Sequence, residues 1–170
     1  MANEVTPKQG LHKVLMIRRL SKAHEESAAR LALQIEHNLQ YERSSEQTAT
    51  KDGSVGTSGS LAVTMDIQAI ISDDPLNNDI YEAFINGETL EFWEVDFTDE
   101  ETPGSNKFKA KYMRGRLNSW SEPANVDTIQ ELSTTATIDG RPQTGYVTVA
   151  GGLVEQATYS FRDLIPVEDA

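Results

Sequence analysis

Two segments of the chain carry apolar residues at every second position, and this period of two constrains the fold more than any other feature. Residues 31–43 place one set on a shared side, namely Leu31, Leu33, Ile35, His37, Leu39 and Tyr41. Residues 61–71 do the same with Leu61, Val63, Met65, Ile67, Ala69 and Ile71. Side chains of a strand point alternately to opposite faces of a sheet, so both segments predict long strands with one buried face and one wet face.

The wet face of these two predicted strands is polar and acidic. It carries Gln34, Glu36, Gln40, Glu42, Thr64, Asp66 and Gln68. On the opposite side, His37 lies among apolar residues, which is typical of a satisfied core or interface histidine rather than of a catalytic base. The pattern therefore predicts a sheet that packs on one side only.

The rest of the chain predicts further short strands around one helix. The helix is expected within residues 73–88, where Asp73 or Asp74 caps it, Pro75 occupies its first turn and Gly87 ends it. Strands are expected at residues 11–20, 89–98, 107–121, 128–138, 145–152 and 157–164. We therefore expect a mainly β fold, a β-sandwich or partly closed barrel with one flanking α-helix. Residues 1–170 form a single domain in this interpretation, with an N-terminal arm at 1–12 and a frayed C-terminal tail at 164–170.

Residues 44–60, between the two alternating segments, are rich in Ser, Thr and Gly and show no apolar period. A tight hairpin needs only two to five connecting residues, so this segment is predicted to be a long loop. Loops of that length are usually functional or disordered, and both possibilities stay open at this point. Its glycines at positions 53, 56 and 59 give the backbone freedom to rearrange on docking.

Composition excludes several classes of protein. The 170 residues contain no cysteine, which excludes disulfides, thiolate metal sites and cysteine nucleophiles. The formal net charge of −12 disfavours a free nucleic-acid-binding protein. No apolar run reaches the length that spans a bilayer, and the N-terminus lacks the plan of a secretory signal. The chain is thus expected to remain in the compartment where it is made.

No pattern of residues predicts catalysis or a cofactor. The three histidines are scattered, and the segment from His24 to Glu26 is a poor metal site because adjacent residues on a flexible stretch converge badly. Carboxylate pairs drawn from Glu91, Glu94 and Asp96 occur in any acidic β protein. Catalytic motifs for acyl transfer and nucleotide binding are absent. We expect no catalytic residue, no metal and no cofactor.

Basic residues gather in one predicted strand, at Lys107, Lys109, Lys111, Arg114 and Arg116. Interleaved aromatic residues make this strand similar to a platform for single-stranded nucleic acid. The other interpretation, which the acidic whole favours, is a strand whose basic side meets an acidic neighbour in the fold or across a subunit boundary. Lys109, Lys111, Arg114 and Arg116 are therefore candidates for inter-subunit contacts.

In order along nearly its full length, the chain resembles the major tail proteins of siphophages that infect Gram-positive hosts. The resemblance lies in MANE, ALQIEHN, SSEQTATKDGSV, INGETLEFWEVD, NKFKAKYMRGRLNSWSEPAN, GYVTV and TYSFRDL. It implies a structural virion protein, made in the host bacterial cytoplasm, that forms stacked hexameric rings and conducts double-stranded DNA during ejection. The implied partners are further copies of the chain, a tape-measure protein, a distal tail protein and a tail terminator, without membrane insertion.

The resemblance also gives roles to particular residues. The polar side of the alternating strands becomes a candidate lining of the tube lumen, with the outer surface of the tube as its alternative. The segment 44–60 becomes a candidate contact between rings, through Ser44, Glu46, Thr48, Lys51, Asp52, Gly53, Gly56 and Ser60. Two alternative functions remain open: a monomeric β-sandwich module that binds carbohydrate or protein, and a tube protein of a contractile tail or secretion apparatus.

Overall fold

A computed structural model of the chain describes residues 7–149. The predicted last strand at 157–164, the C-terminal tail at 164–170 and the first half of the N-terminal arm lie outside the described residues. Within residues 7–149, no helix combines the length and the hydropathy needed to cross a bilayer.

The described part of the chain is mainly β with one α-helix, as the sequence predicts. Its elements in chain order are β1 Lys13–Arg19, β2 Ala29–Arg30, β3 Gln34–Thr50, β4 Gly53–Ile70, α1 Pro75–Asn86, β5 Leu90–Glu100, β6 Lys107–Ser121, β7 Glu131–Ile138 and β8 Gln143–Thr148. The helix begins and ends where the sequence indicates, because the Asp74 carboxylate accepts a hydrogen bond from the Leu76 amide at 3.1 Å. At the other end Gly87 adopts a left-handed conformation, with φ of 67°.

The strands form one antiparallel sheet in the order β2-β1-β5-β6-β7-β4-β3, and β8 pairs with β6. Strand β6 changes partner along its length. Residues 107–112 pair with β8, and residues 115–121 pair with β7 on the same side. The sheet coils until β3 approaches β1, where the Leu15 amide donates to the Gln34 side chain at 3.1 Å. This confirms the partly closed barrel with a flanking helix.

The core has two parts because β5 is apolar on both faces. The larger cluster fills the barrel and includes Leu15, Met65 and Phe92, with α1 closing it through Leu76, Ile80 and Ala83. The smaller cluster lies on the other side of β1, β5 and β6 and is formed by Val14, Met16, Val95, Phe97, Phe108, Ala110 and Val149. Strand β5 therefore lies between two apolar layers.

The face of β3 that was predicted to be buried is only partly covered. The strand begins at Gln34 rather than at residue 31, and Leu33 before it has a positive φ of 51°. Ile35 remains 51% exposed and Tyr41 48% exposed, whereas Val63, the β4 partner of Tyr41, is buried. From His37 to Tyr41 the alternation correctly identifies which residues share a face, but the described part of the chain covers that face only in part.

The prediction of a long loop at residues 44–60 is wrong. Strands β3 and β4 stay paired through this segment up to Thr50 and Gly53, and Lys51 and Asp52 form a two-residue turn. Apolar alternation reports burial on one face, and this ladder is exposed on both faces, so the pattern carried no signal for it. Backbone hydrogen bonds between the strands hold the hairpin together without a core.

Gly115 lies where β6 exchanges β8 for β7, and the approach of the strands there leaves no room for a side chain. A Cβ at this position would overlap the carbonyl oxygen of Thr137 and lie 3.0 Å from its carbonyl carbon. The register shift in β6 lies further along the strand, between Leu117 and Ser119. The glycine is required for close packing of two backbones.

We predict that Gly115→Ala lowers the free energy of unfolding by about 1–3 kcal/mol, because the Thr137 backbone must move to admit the methyl group. Gly145→Ala is a matched control, since Gly145 also lies in a strand paired with β6 and a Cβ there meets no atom within 4 Å. Urea denaturation of both variants measures the difference. Equal stability of the two variants would contradict the close approach.

Candidate assembly surfaces

The polar side of the alternating strands forms one continuous surface in the structure. Glu36 is paired with Gln68, Gln40 with Thr64, and both pairs lie on the side of the sheet opposite the core. We call this surface the polar face; of the residues predicted for it, it contains Glu36, Gln40, Glu42, Thr64, Asp66 and Gln68. Strand β7 extends it, because the Thr135 hydroxyl donates to the Asp66 carboxylate at 2.8 Å.

Gln34 does not belong to the polar face, contrary to the sequence prediction. The β3–β4 register shifts between Gln34 and Glu36, and this irregularity turns Gln34 to the opposite side of the sheet. The side-chain oxygen Oε1 of Gln34 accepts from the Leu15 backbone amide, and its Nε2 lies 2.5 Å from His37 Nδ1. Strict alternation does not reveal an extra residue in a strand, so sequence reasoning assigned Gln34 to the wrong side.

The charges on the polar face are nearly all negative. Glu36, Glu42 and Asp66 are exposed there. Arg116, also exposed, is paired with Thr137 at the β6 margin of the same sheet. Glu131, exposed and paired with Ile70 on the same side, is a fourth carboxylate of this surface, and Arg116 is a cation at its edge.

Residues 44–60 form what we call the projecting hairpin. Every one of its residues is exposed except Gly59, which is partly covered. Six residue steps from Ser44 to Thr50 carry the turn about 20 Å beyond the barrel. Val55 is 55% exposed on the hairpin and is paired with Thr48, on the side that continues the polar face, because the register shifts between Arg43 and Ser45. A ladder of this length without a packed face is poorly stabilised within one chain.

The four strands that carry the polar face have unpaired edges at both ends. Strand β3 is paired with β4 on one side, and no described strand pairs with its other side. At the opposite end, β5 pairs with β6 only as far as Gly115. Residues 116–121 therefore lack a strand on their β5 side within residues 7–149. Such edges present backbone donors and acceptors that another strand can use.

The predicted basic strand is divided between the two faces of β6. Lys109 and Lys111 lie on one side, where Lys111 is 3.9 Å from Glu94 and Lys109 is 4.0 Å from Asp99. On the other side, Arg114 donates to the Tyr112 hydroxyl at 2.6 Å. The acidic partners of the lysines thus belong to the same chain, which is one of the two possibilities that the sequence left open. The four residues do not form a single basic surface.

The carboxylates considered for catalysis are engaged in ion pairs. Glu91 accepts from Arg18 at 2.8 Å and from the Tyr112 hydroxyl at 2.6 Å, on the face that carries the smaller apolar cluster. Asp96 contacts Lys8 at 3.1 Å on the opposite face. Among residues 7–149, no three His, Asp or Glu side chains lie close enough together to hold a metal ion. The segment from His24 to Glu26 is part of this range and forms no such group. Glu91 and Asp96 thus each have a cationic partner within the chain.

Glu94 is the centre of a polar cluster at the open side of the barrel, which sequence reasoning missed. Because the Gln34 amide nitrogen is a donor, His37 Nδ1 accepts from it, and His37 Nε2 donates to Glu94 at 2.9 Å. Glu94 also lies 3.6 Å from Lys13. In the sequence, this cluster was indicated only by a histidine on an apolar face and by a carboxylate inside a predicted strand. We call this region the barrel mouth, formed by Gln34, Ile35, His37, Leu39, Tyr41 and Glu94.

The barrel mouth is a cleft of about 460 Å³ that joins β3 to β1 and β5. The hydrogen bond from His37 holds the pKa of Glu94 below its usual range, and Lys111 and Lys13 act in the same direction against the effect of burial. Burial raises the pKa of Tyr41, to which the negative charge of Glu94 adds. The cluster therefore fixes an ionised carboxylate beneath a half-covered apolar strand.

Comparison with known proteins gives consistent results at three levels. The family model described as "Phage tail tube protein" matches residues 7–144. A protein of Staphylococcus phage phiMR25 named "Putative tail protein" is 31% identical over 144 residues, covering 80% of this chain and 73% of the relative.

Two solved structures share the fold at low sequence identity. The structure of the SPP1 tail tube aligns with a TM-score of 0.70 at 17% identity, covering 92% of this chain and 91% of that one. The tail of an empty GTA particle, determined by helical refinement with C6 symmetry, aligns with a TM-score of 0.62 at 10% identity, covering 82% and 99%.

We predict that Glu94→Gln lowers the free energy of unfolding at pH 7 by about 1–3 kcal/mol, since the neutral amide leaves nearby cations without their partner. Because the folded-state pKa of Glu94 is lowered, its contribution is fully present above the ordinary pKa of 4.5 and is lost as the pH falls through the folded-state value. Urea denaturation at stepwise lower pH measures the gap between wild type and variant. Glu46→Gln on the projecting hairpin is the control and should be neutral; a Glu94→Gln gap that persists to pH 3 would contradict the assignment.

Proposed function

Because the chain belongs to the phage tail tube protein family, and is therefore a component of the virion tail, we propose that it builds the tube as stacked hexameric rings. The observation that carries this proposal is a four-stranded sheet with a polar face and, among the described residues, an unpaired edge at each end. In the proposed tube, the rings conduct DNA to the host cell and catalyse no reaction. The C6 symmetry of the GTA tail supports six copies in each ring.

Ring closure follows from the pairing pattern of the sheet. Strands β3, β4, β7 and the second half of β6 are antiparallel in succession, so β3 and β6 run in opposite directions. When the next copy is added by rotation, its β6 edge meets β3 in antiparallel orientation. An even number of strands in each copy thus allows the ladder to continue around the ring, and closure removes both free edges of the four-stranded sheet.

The polar face is assigned to the lumen because of the position of the bulk of the protein. Helix α1 and the larger core lie on the other side of the four strands. In a ring, the bulkier side needs the larger circumference and therefore lies outside. Six copies of four strands, about 4.8 Å apart, give a wall about 37 Å across before strand tilt widens it, enough for a DNA duplex.

An acidic lumen suits the passage of DNA. The carboxylates of Glu36, Glu42 and Asp66 repel phosphate, so that DNA slides rather than binds. Screening at physiological salt confines this repulsion to roughly 8 Å from the wall. The tube therefore guides the duplex without holding it.

The projecting hairpin is assigned to contacts between rings. Because it extends from one end of the strands only, each ring presents two unlike ends, and stacking joins a hairpin end to a plain end. A finished tube then has two different termini, each requiring its own protein. A distal tail protein and a tail terminator fit these roles, and a tape-measure protein fits the lumen.

Removal of the projecting hairpin tests the stacking role. We predict that replacing residues 45–58 with Asn-Gly leaves a folded protein whose tubes fail to elongate, because the removed residues are exposed and support no part of the core. Circular dichroism measures folding, and negative-stain electron microscopy measures tube length. Tubes of normal length from this variant would refute the role of the hairpin.

The lumen assignment is tested by labelling, since the chain has no cysteine of its own. Glu36→Cys should react with a small maleimide in both monomer and tube, but a maleimide attached to a large protein should react with the monomer only. The reason is that a bulky reagent cannot enter the lumen. Rapid reaction of the assembled tube with the bulky reagent would place the polar face on the exterior.

A further inference from the structure

Among the exposed apolar residues of the described chain, two groups lie beside the two unpaired ends of the four-stranded sheet. The first is the barrel mouth at the β3 edge, where Ile35 and Tyr41 are about half exposed. The second is at the β6 edge and consists of Tyr81, Ile85 and Trp120, which we call the helix patch. Tyr81 is 45% exposed and Ile85 is 61% exposed, so this patch exposes two large apolar side chains next to each other.

The helix patch is held rigid by aromatic packing. The ring of Trp120 meets Tyr81 edge-on, with centroids 5.5 Å apart, and stacks on Phe84 at 5.9 Å. The Trp120 indole nitrogen also donates to Glu122 at 2.8 Å. Since α1 packs on β6 through these rings, the exposed side chains of the helix stand next to the unpaired half of β6.

Both areas lie on the same side of the sheet. Trp120 is paired with Thr134, which is paired with Ile67, and Ile67 is paired with His37. These four residues form one row across the strands, on the side that faces the core. The helix patch and the barrel mouth therefore occupy opposite ends of one row, on the side away from the polar face.

We infer that the helix patch of one copy packs into the barrel mouth of the next copy around the ring. The inference rests on the proposed ring, since joining the β6 edge to the β3 edge brings these two areas together on the outer side of the wall. A second copy is the fitting occupant because each uncovered apolar area directly adjoins one of the two edges that must pair. The interface then has two layers, a backbone ladder inside and an apolar contact outside.

The two layers have different consequences for assembly. A backbone ladder alone is tolerant of register, because every residue offers the same donors and acceptors. Side chains of Tyr81 and Ile85 entering a cleft between β3 and β1 select one register and one partner edge. The apolar contact thus directs β6 to β3 rather than to any other exposed strand.

Cross-linking within assembled rings tests this contact directly. We expect the double variant Ile85→Cys/Tyr41→Cys, treated with a short bis-maleimide, to give covalent dimers and a ladder up to hexamers on a denaturing gel. Each single variant should give at least tenfold less cross-linked product. The matched control pair is Asn86→Cys/Tyr41→Cys, because residue 86 follows Ile85 but points about 100° away around the helix.

Substitution of Ile85 provides the second measurement. Ile85→Glu should leave a folded monomer, since the side chain is exposed, but reduce ring formation at least tenfold; Ile85→Leu should assemble normally. Asn86→Glu adds the same charge beside the patch and should also assemble. Size-exclusion chromatography with electron microscopy measures the assembled fraction.

The outcomes separate this inference from the proposed function. Tubes from Ile85→Glu at the wild-type level, or no cross-link between positions 85 and 41 in wild-type-like tubes, would overturn the inference and leave the tube intact. Failure of the unsubstituted chain to form rings or tubes under any of the conditions used would overturn both.

Discussion

Unpaired backbone groups along two strand edges are the constraint on which the rest of this structure depends. Within residues 7–149, strand β3 has 17 residues and pairs on one side only, and the second half of β6 has no β5 neighbour. Soluble proteins usually shorten, charge or cover such edges because they template association. The described part of this chain retains a long edge at β3 and a short one at residues 116–121 of β6, which is consistent with a subunit whose hydrogen bonding is completed by identical neighbours.

The fold was largely predictable because burial leaves a period in the sequence. Strand β4 alternates between core and water along its second half, and the helix is marked by its cap at Asp74 and its glycine at position 87. Strands that are not buried on either face could not be predicted from the sequence. The projecting hairpin is solvated on both faces, so its ladder depends on backbone pairing, which any Ser, Thr or Gly segment can form without a visible pattern.

The candidate surfaces were predictable residue by residue, but not where the strands depart from ideal geometry. Six of the seven residues assigned to the polar face share it, and Gln34 does not because the register shifts beside it. The basic strand was predicted from the number of lysines and arginines in it, but the alternation of side chains along a strand places Lys109 and Arg114 on opposite faces. The helix patch gave no signal, since Tyr81 and Trp120 meet only after the helix packs on β6.

The hydrogen bonds at the barrel mouth explain how β3 keeps its position although its apolar residues are incompletely covered. His37, Gln34 and Glu94 anchor the start of the strand to β1 and β5 by directed hydrogen bonds, so the strand keeps its position even though Ile35 and Tyr41 lack a full set of apolar neighbours. Burying an ionised carboxylate costs free energy unless it is paired, and here a histidine and two lysines pair with it. A polar anchor thus preserves an incompletely covered apolar surface in the free subunit, which leaves that surface available to a second chain.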